Sequence, residues 1–146
     1  MTKTMIGNSP YGGEGPRSRV SAFIEAKLIQ GDATIPVAAE FVYEPKTDPL
    51  AISLTFKTGP NEEVDWQFGR DLLYDGTKDP AGIGDVHIWP LGNNLNLELN
   101  SPSGNAKFYF SLAAVKTFLT RTFLSVPQGE EITNEMLDAG ILNLLS

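Results

Sequence analysis

The sequence contains no cysteine, which excludes disulfides, thiolate nucleophiles and cysteine-ligated metals together. Histidine is almost as scarce: His87 stands alone, so no His-rich zinc spacing exists. Basic residues are few, 11 Lys and Arg against 18 Asp and Glu, giving a formal net charge of -7. A nucleic-acid binder concentrates Lys and Arg to neutralise phosphates, and an anionic membrane surface repels an acidic chain on average. The balance therefore points away from both partners. Apolar runs are short as well. None reaches the ~18 residues of a membrane helix, and the opening MTKTMIGNSPYGGEGPRSRV holds no signal-peptide core. A cytoplasmic protein without direct membrane insertion is the expectation.

What is present suits one globular domain. The 146 residues are 41% hydrophobic and 10% aromatic, enough for a single core without a metal or disulfide staple. Residues 1–19, rich in Gly, Ser, Pro and charge, read as a flexible arm, and the domain is expected over residues 20–146.

Period-2 alternation then dominates, the mark of strands with one buried face. Val20, Ala22, Ile24, Ala26 and Leu28 share one face, as do Ile35, Val37, Ala39, Phe41 and Tyr43. Leu50 to Phe56 and Val64 to Phe68 follow, joined by the turn residues Thr58-Gly59-Pro60-Asn61. A short helix is predicted over Arg70 to Asp75, with Gly76 as its stop. Val86 and Ile88 open a second set of strands, after a strand-entry turn at Gly82-Ile83-Gly84. Leu95, Leu97 and Leu99 pair through the Ser101-Pro102-Ser103-Gly104 turn with Ala106, Phe108 and Phe110. Ser111 is a predicted N-cap for a helix of about a dozen residues whose apolar stripe is Leu112, Val115, Leu119 and Phe123. Pro127 and Gly129 end it, and a second amphipathic segment follows Thr133. The class is α+β with mainly antiparallel strands, in two β-rich halves each followed by a helix.

Chemistry is sparse. Asp85 shares a strand face with His87, which admits a base-plus-orienter reading, but no nucleophile motif accompanies the pair. Glu62, Glu63, Asp65, Asp71, Asp75, Asp79 and Asp85 lack the spacing of a calcium loop and read as a solvated acidic face. Neither a catalytic residue nor a cofactor or metal site is assigned. Trp66 shares parity with Val64 and Phe68 and reads as core. Trp89, with Pro90 and Leu91, either covers a sheet face or meets a partner. The terminal segment carries Met136, Leu137, Ile141, Leu142, Leu144 and Leu145, and either docks on its own domain or is offered to another chain. The protein-interface candidates are therefore Trp89, Pro90, Leu91, Met136, Ile141, Leu142 and Leu145.

Two strings carry a resemblance. Glu62-Glu63-Val64-Asp65-Trp66-Gln67-Phe68-Gly69-Arg70-Asp71-Leu72-Leu73 is followed by Gly82-Ile83-Gly84-Asp85-Val86-His87-Ile88-Trp89-Pro90. Pro36-Val37 through Tyr43, Asp48-Pro49, Phe56-x-Thr58-Gly59, Ser101-Pro102-x-Gly104 and Phe118-Leu119-x-Arg121-Thr122 fit the same pattern. Over about residues 20–146 the chain resembles the SsgA/SsgB-like sporulation and cell-division proteins of actinomycetes, nearest the SsgB type. The resemblance implies a strongly curved, barrel-like, trimeric architecture akin to Whirly and guide-RNA-binding proteins. It implies a non-enzymatic role in positioning septa, with the tubulin-like protein FtsZ and SsgA-like division proteins as partners. A single-stranded nucleic-acid-binding module on the same architecture is the alternative, and requires Lys27, Lys57, Arg70 and Lys107 to converge on one face. An enzyme or small-ligand binder would instead need a deep pocket beside His87.

Overall fold

Alternation along the chain becomes nine antiparallel strands and two helices in the computed structural model, which describes residues 16–132. In order these are β1 (Val20–Phe23), β2 (Ala26–Gln30), β3 (Ala33–Tyr43), β4 (Ala51–Gly59), β5 (Glu62–Gly69), α1 (Arg70–Gly76), β6 (Ala81–Ile83), β7 (Val86–Leu91), β8 (Asn94–Ser101), β9 (Gly104–Ser111) and α2 (Leu112–Ser125). They form one sheet, ordered β5-β4-β3-β2-β9-β8-β7-β6, with β1 beside β3. Two meanders, each followed by a helix, therefore meet at a seam between β2 and β9, where Leu28 faces Phe108 and Lys27 faces Tyr109.

Tight turns set the register. In Gly84-Asp85 and Gly92-Asn93 the glycine has φ of 58° and 61°, and each two-residue loop joins strands paired immediately on either side. Positive φ at the first loop position matches the right-handed twist of the flanking strands and suits glycine.

The sheet is curled into a half-barrel. Phe56 on β4 stacks on Phe108 of β9, ring centroids 4.3 Å apart, although the strands lie three places apart in the sheet. On a flat sheet that separation would be ~14 Å. The curl directs Phe41, Ile52, Leu54, Ile88, Leu95, Leu97 and Phe110 into one core. Each such side chain contributes roughly 1.5–3 kcal/mol on burial. α2 closes one end of the concave face by packing on β1, β8 and β9, and inserts Val115, Phe118 and Leu119.

Several local expectations are corrected. The strand expected over residues 20–29 is interrupted at Ile24 and Glu25. Register with β3 is unchanged across the gap, and Ile24 N still donates to Ala39 O at 3.1 Å. The interruption is a corner of the curl, beyond which β2 gains β9 as a second neighbour. Of Gly82-Ile83-Gly84, expected as a strand-entry turn, Gly82 and Ile83 belong to β6 and pair with β7, and only Gly84 lies in the turn. Gly76 is the last residue of α1 rather than a left-handed stop, and the helix ends on Thr77 at φ -74°. Its small size has another cause: a Cβ there would lie 2.7 Å from Ile88 Cβ. The buried stripe of α2 is Val115, Phe118, Leu119 and Thr122, with Leu112 and Phe123 half-buried. A threonine hid that face, its hydroxyl satisfied by Leu119 O at 2.7 Å. Ser111 caps α2 as expected, accepting from Ala114 N at 3.1 Å. The amphipathic segment after Thr133 lies outside the described residues.

Candidate interaction surfaces around a buried arginine

Among the described residues the largest fully buried side chain is a charged one. Arg70, directly after β5, is 1% exposed. Its Nη1 donates to Thr122 O (3.1 Å) and Val126 O (2.7 Å), and Nη2 donates to a Glu131 carboxylate oxygen at 2.7 Å. The guanidinium carbon sits 4.7 Å from the Tyr43 ring centroid and 4.4 Å from that of Phe123. One planar cation thus adds a second donor to Thr122 O, which already accepts from Val126 N at 2.9 Å, bonds Val126 O beyond the helix and fixes the path of the chain there. Arg17 adds to the hold by donating to Glu131 O at 3.0 Å, while its main-chain N–H bonds Ser125 O at 2.8 Å.

Electrostatics follow from this packing. Burial raises the Glu131 carboxyl, but the Arg70 hydrogen bond, main-chain N–H groups and the Arg70 charge outweigh it, leaving the group below its ordinary range. Burial pushes the Tyr43 phenol up, opposed by Arg70; its hydroxyl donates to Pro49 O at 2.8 Å. The sequence places Arg70 at the start of a helix and offers it only as one of four cations that the nucleic-acid alternative requires on one face. The available signal was its place amid Phe68, Leu72 and Leu73, a cation at the edge of an apolar run.

The site residues singled out from sequence separate. His87 is exposed on the convex face of β7, opposite Gly82 and Glu98, with its ring over Gly82. Asp85 is exposed in the turn before it, and neither lines a described cavity. Among the described residues no three His, Asp or Glu side chains are grouped to hold a metal. The basic convergence required for nucleic acid does not form, because Arg70 is interior. Lys27 pairs with Glu25 at 2.8 Å, Lys57 with Glu63 at 3.5 Å, and Lys107 faces Glu98 across the ladder.

Apolar side chains stand exposed at several places, Phe23 (76%) and Ile83 (71%) among them, and two further places adjoin residues singled out from sequence. On the convex face, Leu91 is 67% exposed beside half-buried Trp89, while half-buried Pro90, paired with Leu95, alternates to the core side. The row through Trp89, Asn96 and Tyr109 continues there, and the buried Asn96 Nδ2 has no partner among the described residues. On the concave face, the end away from α2 holds a groove of about 330 Å³ floored by Phe56, Val64, Trp66, Leu99, Ala106 and Phe108. Trp66, expected in the core, is half-buried at this groove because β5 runs past the cover of the helices. Met136, Ile141, Leu142 and Leu145 lie outside the described residues.

Comparison with known proteins gives concordant matches. Residues 37–131 match the family described as Streptomyces sporulation and cell division protein, SsgA. The chain is 46% identical over 122 residues to the sporulation-specific cell division protein SsgB of Frankia casuarinae, covering 81% of this chain and 85% of that protein. It is 36% identical over 123 residues to SsgB of Streptomyces coelicolor, covering 82% and 89%. Among solved structures, an SsgA-like sporulation-specific cell division protein from Thermobifida fusca superposes with a TM-score of 0.75 at 34% identity, covering 89% of this chain and 98% of that one. A structure from work relating SsgB mutations to longitudinal cell division in Streptomyces coelicolor superposes at 0.74 with 37% identity, covering 78% and 93%.

Proposed function

Because the chain belongs to the SsgA family of sporulation and cell division proteins, we propose that it positions division septa by recruiting the tubulin-like protein FtsZ through protein–protein contact. The observation that carries this reading is similarity to SsgB proteins over about four fifths of the chain. The geometry is in keeping with it. Arg70 and Glu131 are paired in the interior and Lys27 and Lys57 pair with carboxylates at the surface, while large apolar groups stand exposed. Exposed aromatic and aliphatic anchors suit binding rather than turnover. The protein acts in the cytoplasm at the septum, with SsgA-like proteins among its partners.

We place a homotrimer contact at the end of β7 formed by Trp89, Pro90 and Leu91, where Leu91 is exposed beside two half-buried neighbours. Leu91→Asp should then lower the mass measured by light scattering to that of one chain, and an unchanged mass would remove the patch from the interface. Recruitment is tested by co-pelleting purified protein with GTP-assembled FtsZ across a salt series. Saturable pelleting that disappears with unassembled FtsZ supports direct recruitment. Absence of pelleting at every salt concentration overturns it.

A further inference from the structure

The two ends of the sheet differ. β6 offers three residues, whereas β5 offers eight and has a strand on one side only. β5 leads into α1, which packs on β6 and β7, and Glu62, Glu63, Val64, Asp65 and Gln67 remain exposed.

Ladder geometry identifies the main-chain groups left over. Arg70 N donates to Leu50 O at 2.8 Å, and pairing continues without a shift from Ala51–Gly69 to Lys57–Glu63. In an antiparallel ladder alternate residues turn their main-chain groups to the same neighbour, so Phe68, Trp66 and Val64 also turn theirs to β4. Glu63, Asp65 and Gln67 each turn an N–H and a C=O away from it. Among the described residues no main-chain group answers them. Such a row is a template for one more strand.

Side chains of β5 divide by face. Val64, 44% exposed, and half-buried Trp66 border the concave groove, while Glu63, Asp65 and Gln67 stand on the convex side. An added strand alternates in the same way, with every second side chain over the groove and the others beside the carboxylates. Those carboxylates are only partly answered. Lys57 lies 3.5 Å from Glu63 with both side chains about half exposed, and Asp65 accepts from the neutral Thr55 hydroxyl at 2.6 Å. Glu62, Glu63 and Asp65 thus stand against Lys57 alone along this hairpin. A second copy of β5 fits poorly, because antiparallel pairing of two such edges sets acid beside acid. Exposed charge pairs are weak, so main-chain bonds hold an added strand and the acids select its composition.

We propose that the β5 edge docks an extended segment of a partner protein, alternating apolar and basic residues, which joins the sheet as a further strand. Its apolar side chains enter the groove at Val64 and Trp66, its Lys or Arg side chains meet Glu63 and Asp65, and its main chain bonds Glu63, Asp65 and Gln67. This inference does not rest on FtsZ recruitment, since docking is read with no FtsZ present.

The probe is an end-capped, fluorescein-labelled hexapeptide of alternating lysine and valine, titrated into the full chain and followed by fluorescence polarisation. A peptide of alternating glutamate and valine is the control. The lysine peptide should bind saturably and the control should not. At saturation, amide hydrogen exchange should slow about tenfold or more at Glu63, Asp65 and Gln67, and change less at Val64, Trp66 and Phe68, which already bond β4. Glu63→Lys/Asp65→Lys should weaken binding about tenfold or more, with Glu63→Gln/Asp65→Asn intermediate; the second variant keeps the test valid if the first does not fold. No saturable binding, equal binding of both peptides, or binding without protection of the three edge amides overturns the proposal. Protection of those amides that grows with protein concentration in the absence of peptide also overturns it, in favour of a second copy as occupant.

Discussion

Replacing Arg70 by Met isolates the contribution of the buried cation. The substitution keeps an unbranched apolar stem but removes two hydrogen bonds to main-chain carbonyls, one to Glu131 and both ring contacts. It also leaves the Glu131 carboxylate, with a side chain only 10% exposed, without its counter-charge. Breaking one side of a buried pair costs about 3–5 kcal/mol, much of it from the stranded charge. At 2–4 °C per kcal/mol for a domain of this size, Tm should fall by roughly 6–20 °C. Urea unfolding at pH 7 followed by circular dichroism measures the loss directly. Adding Glu131→Leu to Arg70→Met removes the stranded charge, so the double variant should recover at least about 1 kcal/mol relative to the sum of the single changes. The pH dependence has a definite sign. The Glu131 carboxyl is held below its ordinary value of 4.5, so its contribution is complete above that value and disappears as pH falls through the lower, folded one. Arg70→Met should therefore lose less additional stability than wild type on acidification below pH 4.5. A cost under about 1 kcal/mol, or strictly additive single and double changes, would refute the reasoning.

Other outcomes follow from single contacts. Gly76→Ala forces a Cβ into Ile88, so it should destabilise by about 1–3 kcal/mol despite the better helix propensity of alanine, and its cost in urea unfolding should be smaller in an Ile88→Ala background, which lacks the Cγ2 it meets. Ser111→Ala removes the N-cap acceptor of α2 and should cost about 0.5–2 kcal/mol by the same measurement, with Ser111→Asp close to wild type. His87→Gln changes an exposed convex-face side chain; thermal melting should show a stability change within about 0.5 kcal/mol, and FtsZ pelleting should be unchanged. A loss of pelleting with an intact fold would place His87 in the contact.

The strands were legible because their alternation needs only near neighbours in sequence. Leu95, Leu97 and Leu99 alternate with polar residues, and the Ser101–Gly104 turn returns them onto Ala106, Phe108 and Phe110 with the register expected. Ser111 was equally visible, since a cap acts within three residues. The corner at Ile24 and Glu25 was not, because residue parity is continuous through it and only the neighbour gained by β2 distinguishes its sides. The burial of Arg70 was not visible for a related reason: the groups that make it tolerable are Tyr43, Thr122, Val126 and Glu131, all more than 20 positions away. The groove came partly into view through Trp66, whose parity was right but whose depth depends on where the helices end.

The seam between β2 and β9 bears on how the chain reaches this architecture. Within each meander, partners are joined by short turns and can zip from the loop outward, but Leu28 and Phe108 are roughly 80 residues apart. Closing the curl is thus the high-contact-order step, and it brings together two locally organised pieces rather than one continuous ladder. Leu28→Ala should slow refolding in stopped-flow experiments in near proportion to the stability it removes. Substitutions at the tips of the β8–β9 hairpin should appear mainly in the unfolding rate. The opposite partition would mean that the seam forms after the barrier, with the two halves committed before they meet.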